Sequence, residues 1–149
     1  MPDSRQATVE HQNLVTINIS EITGNLNRRA RVHDDSKLSP EEKPYFDKIS
    51  DMSDVEYGSD EYRARLKEAK PGIKHHYEVN DHHPEHYGEE GVYGMSLMAI
   101  LEMLADWKAA SERTKSQPFM QSVEHNITRF DLGGFANILR NTVKELGWE

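Results

Sequence analysis

Apolar residues in this chain recur at intervals of three and four, and no segment shows a convincing strand-like alternation of apolar and polar residues. A spacing near 3.6 stacks side chains on one face of a helix, whereas a half-buried strand needs a period of two. The pattern therefore predicts an all-α fold of about five to seven helices in one compact domain, residues 1–149. The clearest helix is expected over residues 95–110, where Met98, Leu101, Leu104, Ala105 and Trp107 give a broad apolar surface. In residues 9–22 the apolar stripe Val15, Ile19, Ile22 and Leu26 follows spacings of 4, 3 and 4, and His11 extends it backwards. Residues 1–8 read as a loose start. Gly24 is expected to break or kink that helix, leaving a second short one over 25–32. Ser39-Pro40-Glu41-Glu42 reads as a helix start, with Ser39 as N-cap and Glu42 closing a capping box. Residues 50–60 read as a polar loop, and a helix over 60–69 is expected to stop at Pro71-Gly72. A further helix is expected over 73–81, ended by Pro84, then a loop over 88–94. C-terminal helices are expected over 118–130 and 134–146, joined at Gly133-Gly134.

The 149 residues suffice for one core. Six Tyr, four Phe and two Trp argue against disorder, although 30% of residues are charged and mean hydropathy is -0.83. A net charge of -8 disfavours non-specific binding to nucleic-acid backbone or an anionic membrane. A small anionic substrate stays compatible, because a bound cation reverses the local potential. There is no cysteine, which excludes disulfides, thiolate nucleophiles and thiolate metal sites. No apolar run approaches a membrane span and the N-terminus has no secretory h-region, so a cytoplasmic location is expected, in a cell or a phage-infected cell. A homo-oligomer is compatible with the sequence.

Five of the eight histidines fall in His75-His76-Tyr77-Glu78-Val79-Asn80-Asp81-His82-His83-Pro84-Glu85-His86. A lone histidine is usually a solvated or satisfied side chain. Two His-His pairs seven residues apart are a different case, because residues two helical turns apart share a face and let imidazoles converge on one point. His76 with His83 is the favoured pair, and His75 with His82 the alternative. Neutral imidazoles beside carboxylates suit Mn, Fe, Co, Ni or Zn. An internal cluster interleaved with Tyr, Asn, Pro and Glu is no expression tag. His33-Asp34 offers an imidazole and a carboxylate in adjacent positions. Asp106, with Glu102 one turn earlier, sits inside an otherwise apolar helix, where a buried charge requires pairing or coordination. A salt bridge to Lys108 or an arginine is the plainer account of Asp106.

Together with His11, these features resemble the HD superfamily of metal-dependent phosphohydrolases. Its all-α domain presents ligands in the order His, His-Asp and a distant Asp, with extra histidines between them in two-metal branches. His11, His33, Asp34 and Asp106 stand in that order, 22 residues separating the first two and 72 the last two. His33-Asp34 with Lys37 is similar to the His-Asp-x-x-Lys motif of the cyclic-dinucleotide phosphodiesterase branch. His82-His83 with Glu85 is similar to its His-His-Glu, with Pro84 inserted. The combination HDxSKL, HHxxxNxHHPE and EMLxDW also resembles an uncharacterised family of short phage and bacterial proteins. The resemblance spans about residues 11–107, and the C-terminal helices carry none of its motifs.

The resemblance implies one or two divalent transition-metal ions held by His11, His33, Asp34, His76, His83 and Asp106. It implies hydrolysis of a nucleotide or another phosphate ester by a metal-activated water, with Asp34 and Lys37 as the catalytic pair and Lys37 offsetting charge on the phosphoryl group. His75, Asn80, His82, Glu85 and Glu102 are then supporting residues or alternative ligands. Arg28 and Arg31 are candidates for steering a small phosphate-containing substrate, although such a run is more often a solvated helix face. Two other readings fit the same residues: a di-iron oxygenase on the same scaffold, and a non-enzymatic protein that binds a nucleotide or a partner.

Overall fold

The computed structural model describes residues 3–50, 52, 55–56, 58–114 and 118–149. Part of the expected 50–60 loop lies outside them, as do the first two residues of the expected loose start. Among the described residues the fold is all-α, with six α-helices, two 3-10 segments and no strand. No helix among them is long and apolar enough to cross a membrane. The chain's contacts gather into two compact units, Met1–His33 and Asp34–Glu149.

The first unit is one helix, α1 (Ser4–Val32). It begins earlier than expected because Asp3 caps it, its side chain accepting from Arg5 N at 2.9 Å. Gly24 does not break it. One glycine costs a helix only about 1 kcal/mol relative to alanine, too little to interrupt 29 residues. Thr8, Thr16 and Ser20 return their hydroxyls to the carbonyls four residues back. None of its residues is buried, and Val15, Ile19 and Ile22 of the predicted stripe are exposed.

The second unit starts with a 3-10 turn, Asp35–Leu38, and the short α2 (Lys43–Phe46). Ser39 does not start a helix at Pro40. Its carbonyl accepts from Glu42 N and Lys43 N, so residues 39–42 form turns, and the Glu42 side chain is buried instead of closing a capping box. α3 (Asp60–Val79) is capped by Ser59 Oγ, which accepts from Tyr62 N at 3.1 Å. It runs through Pro71-Gly72 without interruption. The reason is packing: a Cβ on Gly72 would lie 2.5 Å from Cβ of Tyr45, so glycine is what lets α2 lie against α3. α3 ends at Val79, where Asn80 turns extended, earlier than Pro84 requires. The expected 88–94 loop is the end of a 3-10 segment, Pro84–Gly94, broken by positive φ at Gly88 and Gly91.

α4 (Leu97–Thr114), α5 (Phe119–Arg129) and α6 (Ala136–Glu145) build the core. Ile100, Met103, Leu104, Phe119, Val123, Leu139 and Val143 are buried together, with Trp107 and Phe130 packed on them. Arg140 grips Glu124 with two bonds, Nε to Oε1 at 2.6 Å and Nη2 to Oε2 at 2.8 Å, tying α6 to α5. With Met103 and Leu104 in the core, Glu102 and Asp106 share a neighbouring face of α4, one turn apart.

Candidate metal centre

Asp34 sits at φ 61, ψ 13, a left-handed conformation that aspartate tolerates better than most residues but that still favours glycine. Its carbonyl accepts from Lys37 N at 2.9 Å, closing the 3-10 turn that follows. The turn also brings Lys37 Nζ to Asp34 Oδ2 at 2.5 Å. That contact fixes the carboxylate and leaves Oδ1 toward two imidazoles, His76 Nε2 at 3.2 Å and His82 Nε2 at 3.5 Å. His83 Nε2 lies 3.0 Å from His76 Nε2. One oxygen and three ring nitrogens thus stand within 4.8 Å of one another, all in the second unit.

Behind the nitrogens stand carboxylates. His76 Nδ1 is 2.9 Å from Glu42 Oε2, and His82 Nδ1 is 3.3 Å from Glu102 Oε1. A carboxylate only accepts, so each imidazole donates there from Nδ1–H and its neutral tautomer carries a lone pair on Nε2. Glu42 is wholly buried and also accepts from His75 Nδ1 at 2.9 Å and from Ser36 Oγ at 3.0 Å. Asn80 closes the network, donating to Ser36 Oγ at 2.7 Å and to the His76 carbonyl at 2.8 Å. Burial alone would raise the Glu42 carboxyl, but the bonds from His75, His76 and Ser36 prevail and hold it below its ordinary value. Burial likewise opposes charge on Asp34, and contacts from His76, His82 and Lys37 outweigh it, driving that carboxyl far down. His83 is lowered as well, which for an imidazole favours the neutral form. Burial, then its neighbours His82 and His76, push its imidazole down to about 3 against the pull of Asp106 and Asp34.

These donors fit a metal ion. Imidazole nitrogen and carboxylate oxygen bind transition metals at about 2.1 Å, which separates adjacent donors by about 3.0 Å at right angles and about 3.4 Å at tetrahedral angles. Three of the six separations are 3.0, 3.2 and 3.5 Å, and all six lie within 4.8 Å. The carboxylates on Nδ1 of His76 and His82 orient ligating imidazoles and raise their basicity. His83 is neutral at physiological pH, as a ligand must be. The buried His, Asp and Glu groups here can hold a metal ion.

A family model covers residues 2–146, nearly the whole chain. The chain belongs to DUF5662, a family of unknown function. No curated protein and no solved structure matches it.

Of the sequence candidates in this DUF5662 chain, Asp34, His76 and His83 come together, and so does His82. The two His-His pairs do not offer one member each. α3 ends at Asn80, so residues 82 and 83 lie off the helical spacing and both enter the cluster, while His75, partly exposed, serves Glu42. Asn80 and Glu102 support His76 and His82 as described. Asp106 is half-buried and lines a cavity of about 320 Å³ together with His83, Tyr77, Trp107, Asn126 and Arg129. Glu85, at the same cavity, pairs with Arg129 Nη2 at 3.2 Å. His33 is half-buried at the C-terminus of α1 and directly precedes Asp34 in the chain. His11, Arg28 and Arg31 are exposed on α1. Sequence reasoning missed Glu42, Ser36 and Arg129.

Proposed function

We propose that the chain is a metal-dependent phosphohydrolase of the HD type, acting on a nucleotide or another small phosphate ester. The observation that carries the reading is the double backing of the donors. His76 and His82 both turn Nε2 to Asp34 Oδ1 and both rest Nδ1 on a carboxylate. A divalent ion, Mn, Fe, Co, Ni or Zn, supplies Lewis acidity here and makes water acidic enough to attack phosphorus at neutral pH. Asp34, His76, His82 and His83 hold it, and Asp106 on the cavity wall beside His83 is a further donor. His11 as a donor rests on the resemblance alone. Lys37 keeps Asp34 Oδ1 aimed at the histidines, and its ammonium offsets negative charge on a phosphoryl group. The cavity beside His83 receives the rest of the ester.

Phosphate release from a panel of nucleotides and simple phosphate esters tests this, with each metal in turn and with chelator. Metal-dependent release that disappears in Asp34→Ala is expected. Dioxygen consumption with iron and no phosphate release would replace the reading with the oxygenase one, and saturable binding without turnover would replace it with the binding-protein one.

A further inference from the structure

The cavity beside the metal centre has a wall that neither the motifs nor the donors account for. His83 and Asp106 bring candidate metal donors to its lining. Arg129, the last residue of α5, and Asn126 one turn before it line it as well. Arg129 is the cation of this wall. It lies over the Phe130 ring at 4.5 Å, meets one oxygen of Glu85 at 3.2 Å and donates to the Tyr77 hydroxyl oxygen. A guanidinium has five donors in a planar fork that matches a carboxylate or phosphate through two parallel bonds. The half-exposed Glu85 pair and the Tyr77 bond leave part of that capacity for a ligand. Tyr77 and Trp107 add aromatic surface to the lining. At about 320 Å³ the space matches a metabolite-sized ligand.

Resting on the phosphohydrolase reading, we infer that the substrate is a metabolite-sized phosphate ester carrying a second anionic group, which Arg129 binds in place of Glu85. The scissile phosphate faces the metal donors, the organic middle lies against Tyr77 and Trp107, and the second anion, a carboxylate or another phosphate, reaches the guanidinium. Glu85 then acts as the resting partner that keeps Arg129 in position until the anion arrives. This assigns substrate recognition to α5, in the part of the chain that carries no motif, and not to Arg28 or Arg31 on α1.

The test is calorimetric binding to the Mn²⁺-loaded full chain of two probes, phosphoglycolate, which has both anions, and methyl phosphate, which has one. Phosphoglycolate should bind at least tenfold more tightly, the scale of one charge-assisted bidentate contact. Arg129→Gln should erase that preference while leaving methyl phosphate and Mn²⁺ affinity unchanged. Arg129→Lys should restore part of it, and Glu85→Gln should strengthen phosphoglycolate binding. Equal affinities for the two probes, or a preference that survives in Arg129→Gln, would overturn the inference. Failure of the metal reading looks different. A chain that takes up no Mn²⁺ but binds phosphoglycolate in an Arg129-dependent way would keep the anion seat and discard the hydrolase.

Discussion

Replacing Glu42 with alanine should destabilise the metal-free protein by about 3–5 kcal/mol, the scale of removing one partner from a buried charged network. The side chain is fully buried and receives three donors, His75 Nδ1, His76 Nδ1 and Ser36 Oγ. They do not suffer equally. His75 is partly exposed, so water replaces its partner at little cost. Ser36 can turn its hydroxyl, with Asn80 already donating to its oxygen. His76 is buried, and loss of its carboxylate costs about 1–3 kcal/mol of unmatched polarity. The emptied volume and the loss of charge that stabilises the donors supply the remainder. The same change should weaken metal binding about 10–100-fold with stoichiometry unchanged, because Glu42 orients His76 without ligating. Urea denaturation of the chelator-treated protein measures the first effect and metal titration the second. A stability loss under about 1 kcal/mol would refute the claim that the fold at this site is organised around a buried carboxylate.

Gly72→Ala should destabilise by about 1–3 kcal/mol or more, since the new Cβ meets Tyr45 Cβ at 2.5 Å; an unchanged melting temperature would contradict the α2–α3 packing. The stability of the metal-free protein should fall as pH drops from about 6.5 toward 3: His83 stays neutral in the fold down to about 3, while the unfolded chain takes up the proton near 6.5. Asp34, depressed in the fold, adds a further loss below its ordinary value of 3.8. Urea midpoints across this range read both, and a flat profile would count against them. Lys37→Ala should leave metal stoichiometry intact and lower phosphate release by about two orders of magnitude, the scale of one lost charge-stabilising contact; an unchanged rate would make Lys37 a structural partner of Asp34 alone.

What could be seen in the sequence was the periodic part. Because their apolar faces make the core, the helices over α4, α5 and α6 followed from apolar spacing within one or two residues, except that α4 runs four residues past its expected end. Punctuation misled where tertiary contact overrode it. Pro71-Gly72 reads as a stop by local rules, but Gly72 is the point where Tyr45 approaches, a fact held by a segment 27 residues away. Gly24 reads as a kink, and a long helix absorbed it. The predicted stripe of α1 is helical but not buried, since periodicity identifies a face without saying what covers it. At the candidate site, His76, His83 and Asp34 were visible as residue types in a pattern. The helical spacing picked His76 with His83, and both enter the cluster; it missed that His82 joins them, because the chain leaves the helix at Asn80 and presents His82 and His83 together. Glu42 was hidden by a local capping rule that a buried network displaced.

The central claim is that Asp34, His76, His82 and His83 bind one ion as a set, and Co²⁺ titration followed by visible absorption tests it most directly. The account predicts a saturable band at one equivalent for this set, shifted from aqueous Co²⁺ by nitrogen ligation and absent in both Asp34→Ala and His82→Ala. A spectrum that stays that of the aqueous ion, or a titration that both variants reproduce unchanged, would contradict it.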